Sequence, residues 1–225
     1  MEDSITCTQQ LQLKLDEIKN ILIELNRLKI DIKLLIDKDQ VYFLETTSKS
    51  SFYYRLHLNY IRLFVIDFYK LVAPNEHFNF GKLLSFCKIN RRNIQWSKDI
   101  DNETLDQLEK DFKSIINQHY KDIYNLRNKF YAHSDKNKTR FEKETRLKLI
   151  KLWETLDVLN DVFIKINSHF RNEDCRLLFN EDFLPKPKEI EDSHKYKQLR
   201  ELFFQGLRGN KEDLNYDEVK KIIIG

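Results

Sequence analysis

Leu11, Leu15, Ile18, Leu22 and Leu25 step along the chain by four and three, and Ile32 and Ile36 resume the pattern. Apolar residues at this spacing line one side of an α-helix, whereas a half-buried strand needs strict alternation. The same spacing returns in Leu105, Leu108, Phe112, Ile115, His119, Ile123, Leu126 and Phe130, and again in Leu149, Leu152, Leu156, Leu159, Phe163, Ile166 and Phe170. Only 4 glycines and 3 prolines punctuate the 225 residues, too few for the many tight turns of a sandwich or barrel. A hydrophobic content of 41% supplies a core, and a charged content of 33% supplies the solvated faces of long amphipathic helices. The expected fold is all-α. It is an up-and-down bundle of four to five main helices over residues 1–180, with a linker and short helical C-terminal extension over 181–225.

The first helix is predicted from about Thr8 to Ile36, with Ile21, Leu28 and Leu35 widening its apolar face and Lys29 interrupting the seam. A second runs from about Val41 to Val72 and is stopped by Pro74. It carries Tyr42, Phe43, Phe52, Tyr53, Tyr54, Tyr60, Phe64, Phe68 and Tyr69. Aromatics at helical spacing favour a core or interface over a base-stacking platform. His57 and Arg62 on this helix face either the site or solvent. A short helix over Phe80–Phe86 starts near Asn79, and Asp101 or Asn102 caps the next long helix. His119 on the stripe reads as a hydrogen-bonded core residue. Thr139-x-x-Glu142 reads as a capping box for a last long helix ending near His169. These last two long helices, joined by a short turn, form an antiparallel hairpin. Beyond Asn172, Pro185-Lys186-Pro187-Lys188 reads as an extended linker. A helix over about Tyr196–Leu207 and a tail with Val219, Ile222, Ile223 and Ile224 follow.

Cys7, Cys87 and Cys175 lie far apart without metal-ligand spacing, which fits a reducing compartment. The acidic N-terminus has no apolar signal core, and no apolar run reaches the ~18 residues that span a bilayer. The chain is expected to be cytoplasmic, away from membranes, and its Lys-, Asn- and Ile-rich usage points to a bacterial source. A Gly-rich phosphate loop, His-Glu-x-x-His, Cys-x-x-Cys and Gly-x-Ser-x-Gly are all absent. What remains is Arg127-Asn128 followed by Ala132-His133, at the end of the second stripe and just before the breaker Ser134-Asp135-Lys136-Asn137.

The net charge of +3 is small, but charge clusters here. Arg127, Lys129, Lys136, Lys138 and Arg140 meet a single acid, Asp135, and such an excess attracts a phosphodiester backbone. A second basic piece, Lys88–Lys98, holds Arg91 and Arg92 and is a further candidate for RNA contact. A histidine ordinarily titrates near neutrality, so His133 can take the proton of a 2′-hydroxyl or return one to a leaving oxygen. Arg127 stays charged and can hold phosphate oxygens through two N–H groups, and Asn128 can orient either partner. This chemistry needs no metal and no cofactor. On a regular helix, six residues turn about 600°, so Arg127 and His133 point roughly 120° apart. Two copies about a two-fold axis bring both pairs into one cleft, so a homodimer is expected.

The run Leu126-Arg127-Asn128-Lys129-Phe130-Tyr131-Ala132-His133-Ser134-Asp135 resembles the signature of the HEPN superfamily, and most closely its AbiU-like branch, named for abortive phage infection. The aromatic second helix and Phe80-Gly81-Lys82-Leu83-Leu84 resemble the same branch, and the likeness covers roughly residues 10–170. The resemblance implies a metal-independent endoribonuclease acting on single-stranded RNA in a toxin–antitoxin or phage-defence system. It implies a dimer, with Arg127 and His133 catalytic, Asn128 supporting, and an antitoxin or other defence-system protein as partner. Some HEPN toxins carry a tyrosine two residues after the histidine that a partner modifies, where this chain has Asp135. Two other readings stay open: a catalytically inactive HEPN-like module that binds RNA or protein, and a structural helical partner. In the structural case Arg127 pairs with Asp122 or Glu142, and His133 caps a helix end.

Overall fold

The computed structural model describes residues 6–36, 50–132 and 138–179. These form α1 (Cys7–Ile36), α2 (Ser51–Val72), α3 (Phe80–Asn90) with a 3-10 turn (Arg91–Asn93), α4 (Asn102–Ala132), α5 (Lys138–Arg171) and a single turn, α6 (Arg176–Phe179). There is no strand among the described residues. The fold is the all-α bundle expected from the periodicity.

The four long helices form a ring in which α1 packs on α2, α2 on α4, α4 on α5, and α5 back on α1. Direction follows from the cross-helix bonds. Lys29 meets Asp157, Asn26 meets Asn160 and Asp16 meets Arg171, so numbers rise along α1 as they fall along α5. His169 at the end of α5 lies by Lys98 and Asp99, just before α4 begins, so α4 and α5 are also antiparallel. Val72 shares a groove with Phe112 and Ile116 while Tyr69 lies further along α4 against Arg127, so α2 opposes α4. The ends at Ile36, Ser51, Ala132 and Lys138 therefore gather at one end of the bundle. The α1 N-terminus, the 3-10 turn and the start of α4 share the other, where Cys7 Sγ meets Asn90 Oδ1 and Thr8 Oγ1 accepts from Gln95 N.

Leu11, Leu15, Ile18, Leu22, Leu25 and Ile32 are fully buried, as are Phe64 and Phe68 of α2 and Leu156, Phe163 and Ile166 of α5. Pro74 follows the end of α2, whose terminal carbonyl Tyr69 O accepts from Ala73 N. Asn79 caps α3: its buried Oδ1 accepts from Lys82 N and its Nδ2 donates to Glu76 O. A Cβ at Gly81 would stand 3.2 Å from that same Oδ1 and 3.6 Å from Phe112, so glycine leaves room for the cap. Asp101 accepts from Thr104 N at 2.6 Å and starts α4. Asn172, at φ 56°, ends α5 in the left-handed conformation that asparagine tolerates.

The structure departs from the sequence expectations in four places. Lys29 does not break the α1 seam. It is 6% exposed, and its ammonium reaches Asp157 of α5 at 2.8 Å. The short helix does not stop near Phe86, because α3 continues to Asn90, and the rest of the basic piece folds down on α5. There Trp96 Nε1 donates to Arg91 O, its ring meets Phe170 edge-on, and Ser97 N donates to Phe170 O. On α4 it is Ile116 that is buried at the third turn of the stripe, with Ile115 turned toward a groove against α5. Helix α5 begins at Lys138, which puts Thr139 inside the first turn rather than at the cap. The stretch Val41–Lys49 expected at the start of the second helix lies outside the described residues, as do the linker, the helix over about Tyr196–Leu207 and the apolar tail.

Candidate functional site

Helix α4 stays regular through Ala132, so Arg127 and Asn128 stand one turn from the bundle end where α4 hands over to α5. Helical side chains lean toward the N-terminus of their helix. Arg127 does so, and its guanidinium lies over the ring of Tyr69 on α2, with Cζ 4.5 Å from the ring centroid. Tyr69 is itself hydrogen-bonded to the hydroxyl of Tyr120 on α4. Tyr120 and Tyr124 are tilted neighbours with centroids 6.4 Å apart. Burial first, then the Tyr69 bond and the two neighbouring phenols, push the Tyr120 hydroxyl above its ordinary value, while the Arg127 charge works the other way. Three tyrosines from two helices thus lie close to one arginine, which rests on Tyr69.

The remaining predicted residues fall into three groups. Asn128 is half-buried beside Arg127. Lys129 follows on α4, while Lys138 and Arg140 lie in the first turn of α5, so the backbone alone brings these three cations to the same end of the bundle. His133 and Lys136 lie outside the described residues. Arg91 and Arg92 are at the opposite end. The helix from Asn102 to Arg127 spans about 38 Å. Arg91 is bound there to Ile100 O and the Asp99 carboxylate, and Arg92 is exposed. His57 is half-buried on α2, Arg62 is exposed there, and His119 is half-buried on α4. No three His, Cys, Asp or Glu side chains among the described residues converge as metal ligands would. No described helix is long and apolar enough to cross a membrane.

The arginine-bearing helix end within an all-α ring is the setting expected of the Arg-Asn…His signature. The sequence profile described as AbiU2, a HEPN family, matches residues 9–182. The chain belongs to the HEPN AbiU2 family. No curated protein and no solved structure matches it significantly. The match starts two residues into α1 and runs past α6, so the short turn Arg176–Phe179 is part of the AbiU2 unit. Packing agrees, since Phe179 is buried with its ring edge-on to Phe163 of α5.

Tyr69, Tyr120 and Tyr124 were not singled out as site residues from the sequence. For the α4 pair a signal existed: Tyr120, Tyr124 and Arg127 stand at i, i+4 and i+7, one helix face. For Tyr69 nothing local marks it among the aromatics of α2. Its role comes from the pairing of α2 with α4.

Proposed function

We propose that this AbiU2-family protein is a metal-independent endoribonuclease that cleaves single-stranded RNA in a bacterial abortive-infection or toxin–antitoxin system. The observation that carries the reading is Arg127, a cation held at a helix end by a tyrosine ring and followed by Asn128 and, six residues on, His133. His133 takes the proton of the 2′-hydroxyl. That oxygen attacks the adjacent phosphorus, the bond to the 5′-oxygen breaks, and the leaving oxygen takes the proton back from His133. Arg127 holds the non-bridging oxygens through two N–H groups and offsets the charge that grows on them. Lys129, Lys136, Lys138 and Arg140 draw the flanking phosphates. Two copies supply the site, and an antitoxin or other defence protein controls it in the cytoplasm.

The test is purified protein with labelled RNA in EDTA. Fragments ending in 2′,3′-cyclic phosphate are expected, with no cutting of DNA or of RNA blocked by a 2′-O-methyl group. His133→Ala should lower the rate by about 10²–10⁴-fold while RNA affinity holds. Arg127→Ala should lower both, since its charge acts on the ground and transition states. Equal cleavage of the blocked RNA, or a folded and fully active His133→Ala protein, overturns the mechanism. The Arg127–Tyr69 contact also favours a second reading, an inactive binding module in which the arginine ties α4 to α2. RNA affinity without fragments in that assay is its signature.

A further inference from the structure

Tyr124 is 44% exposed, although it neighbours a cluster whose other rings are largely covered. It stands one turn before Arg127 on the same face of α4, and residues three apart on a helix are neighbours. Both side chains are held in place. The Tyr124 ring leans on Tyr120, and the Arg127 guanidinium rests on Tyr69. A partly exposed aromatic ring beside a cation seated on another ring matches the two parts of a nucleotide, a flat base and an anionic phosphate. We propose that Tyr124 is the base-stacking residue of this site, taking the nucleobase next to the phosphate that Arg127 holds on a single-stranded RNA. The inference rests on the RNA reading above and deepens it. Stacking demands an unpaired base, so Tyr124 selects single strands over duplex, whose bases are already stacked. Any base has a π-face, so the contact reads strandedness more than sequence.

The experiment measures binding of the full chain to a fluorescent 2′-O-methyl RNA of about a dozen nucleotides, within the usual site size for a single strand and resistant to cutting. Tyr124→Ala should weaken binding about tenfold, Tyr124→Leu similarly, and Tyr124→Phe or Tyr124→Trp little. The salt dependence should be unchanged in Tyr124→Ala, because stacking releases no counterions, and shallower in Arg127→Ala. Scanning one abasic position along the oligonucleotide should find a place where the missing base weakens the wild type but not Tyr124→Ala. Tyr124→Ala binding as tightly as wild type overturns the inference and leaves the RNA reading standing. So does a loss that comes with a changed molecular mass in light scattering, which makes Tyr124 an interface residue. A wild-type chain that binds neither this RNA nor its 2′-hydroxyl counterpart overturns both.

Discussion

At the scale of single residues, the contact between Arg127 and Tyr69 decides what the arginine can do. A free arginine loses rotamer entropy each time it binds a phosphate. One already seated on an aromatic face has lost much of that freedom on folding. Tyr69→Phe keeps the ring and should keep most of the turnover. Tyr69→Ala frees the guanidinium and should lower kcat by about 2- to 30-fold, the range of one such contact. The expected split is a larger effect on kcat than on KM, measured by single-turnover cleavage. Equal damage from both variants would instead mean that the Tyr69–Tyr120 hydrogen bond, which Phe also lacks, is the important contact.

At the scale of helices, α1 and α5 are registered by polar groups inside an apolar seam. Asn26 and Asn160 exchange two amide hydrogen bonds of 3.1 Å, and both are buried. One turn along, Lys29 and Asp157 close the layer. Removing one asparagine strands the other amide without its partner, which costs about 1–3 kcal/mol. Asn26→Leu should show that loss in urea denaturation, and adding Asn160→Leu should recover most of it. Full additivity would show that the pair is not coupled. A different device ties α3 to α4. Lys88 reaches Asp106 and Glu109, and Lys113 also bonds Glu109. The Lys113 bond first, then the Lys88 bond, hold the Glu109 carboxyl below its ordinary value. A depressed carboxyl stabilises the fold above its unfolded pKa, about 4.3, and loses that contribution as pH falls through the folded value. Glu109→Gln should therefore lower the melting temperature at pH 7, with the difference from wild type shrinking as pH falls through the folded value. A constant difference across that range would assign the effect to packing.

At the scale of the whole molecule, the ring sends one end of each of the four long helices to the Arg127 end, so a second copy meeting this end would bring both Arg127-Asn128 turns together. If each proposed active site takes Arg127 from one protomer and His133 from its partner, two dead variants can repair each other. A mixed dimer of Arg127→Ala and His133→Ala chains holds one site with both residues intact and one with neither. After subunit exchange, about half of the dimers are mixed, so roughly a quarter of wild-type activity should return. Cleavage by the equilibrated mixture measures it, and a mixture as inactive as its components would show that each site is complete within one chain.

The helices and their buried faces were legible because they follow from local rules. The three-and-four spacing of Leu11 to Leu25, the scarcity of glycine and proline, the Asp101 cap and the stop before Pro74 each depend on neighbours within a turn or two. The family resemblance was legible for the same reason, from the short run around Arg127-Asn128. Lys29, Arg91 and Tyr69 were not. Taken alone, a lysine in an apolar seam is an interruption and an arginine in a basic run is a solvated charge. Lys29 is buried because its carboxylate partner lies 128 residues away, and Asn26 because its amide partner lies 134 residues away. Arg91 is occupied because the chain folds back on the end of α5. The value of a polar or aromatic side chain depends on what desolvates it, and that was decided by which helices became neighbours.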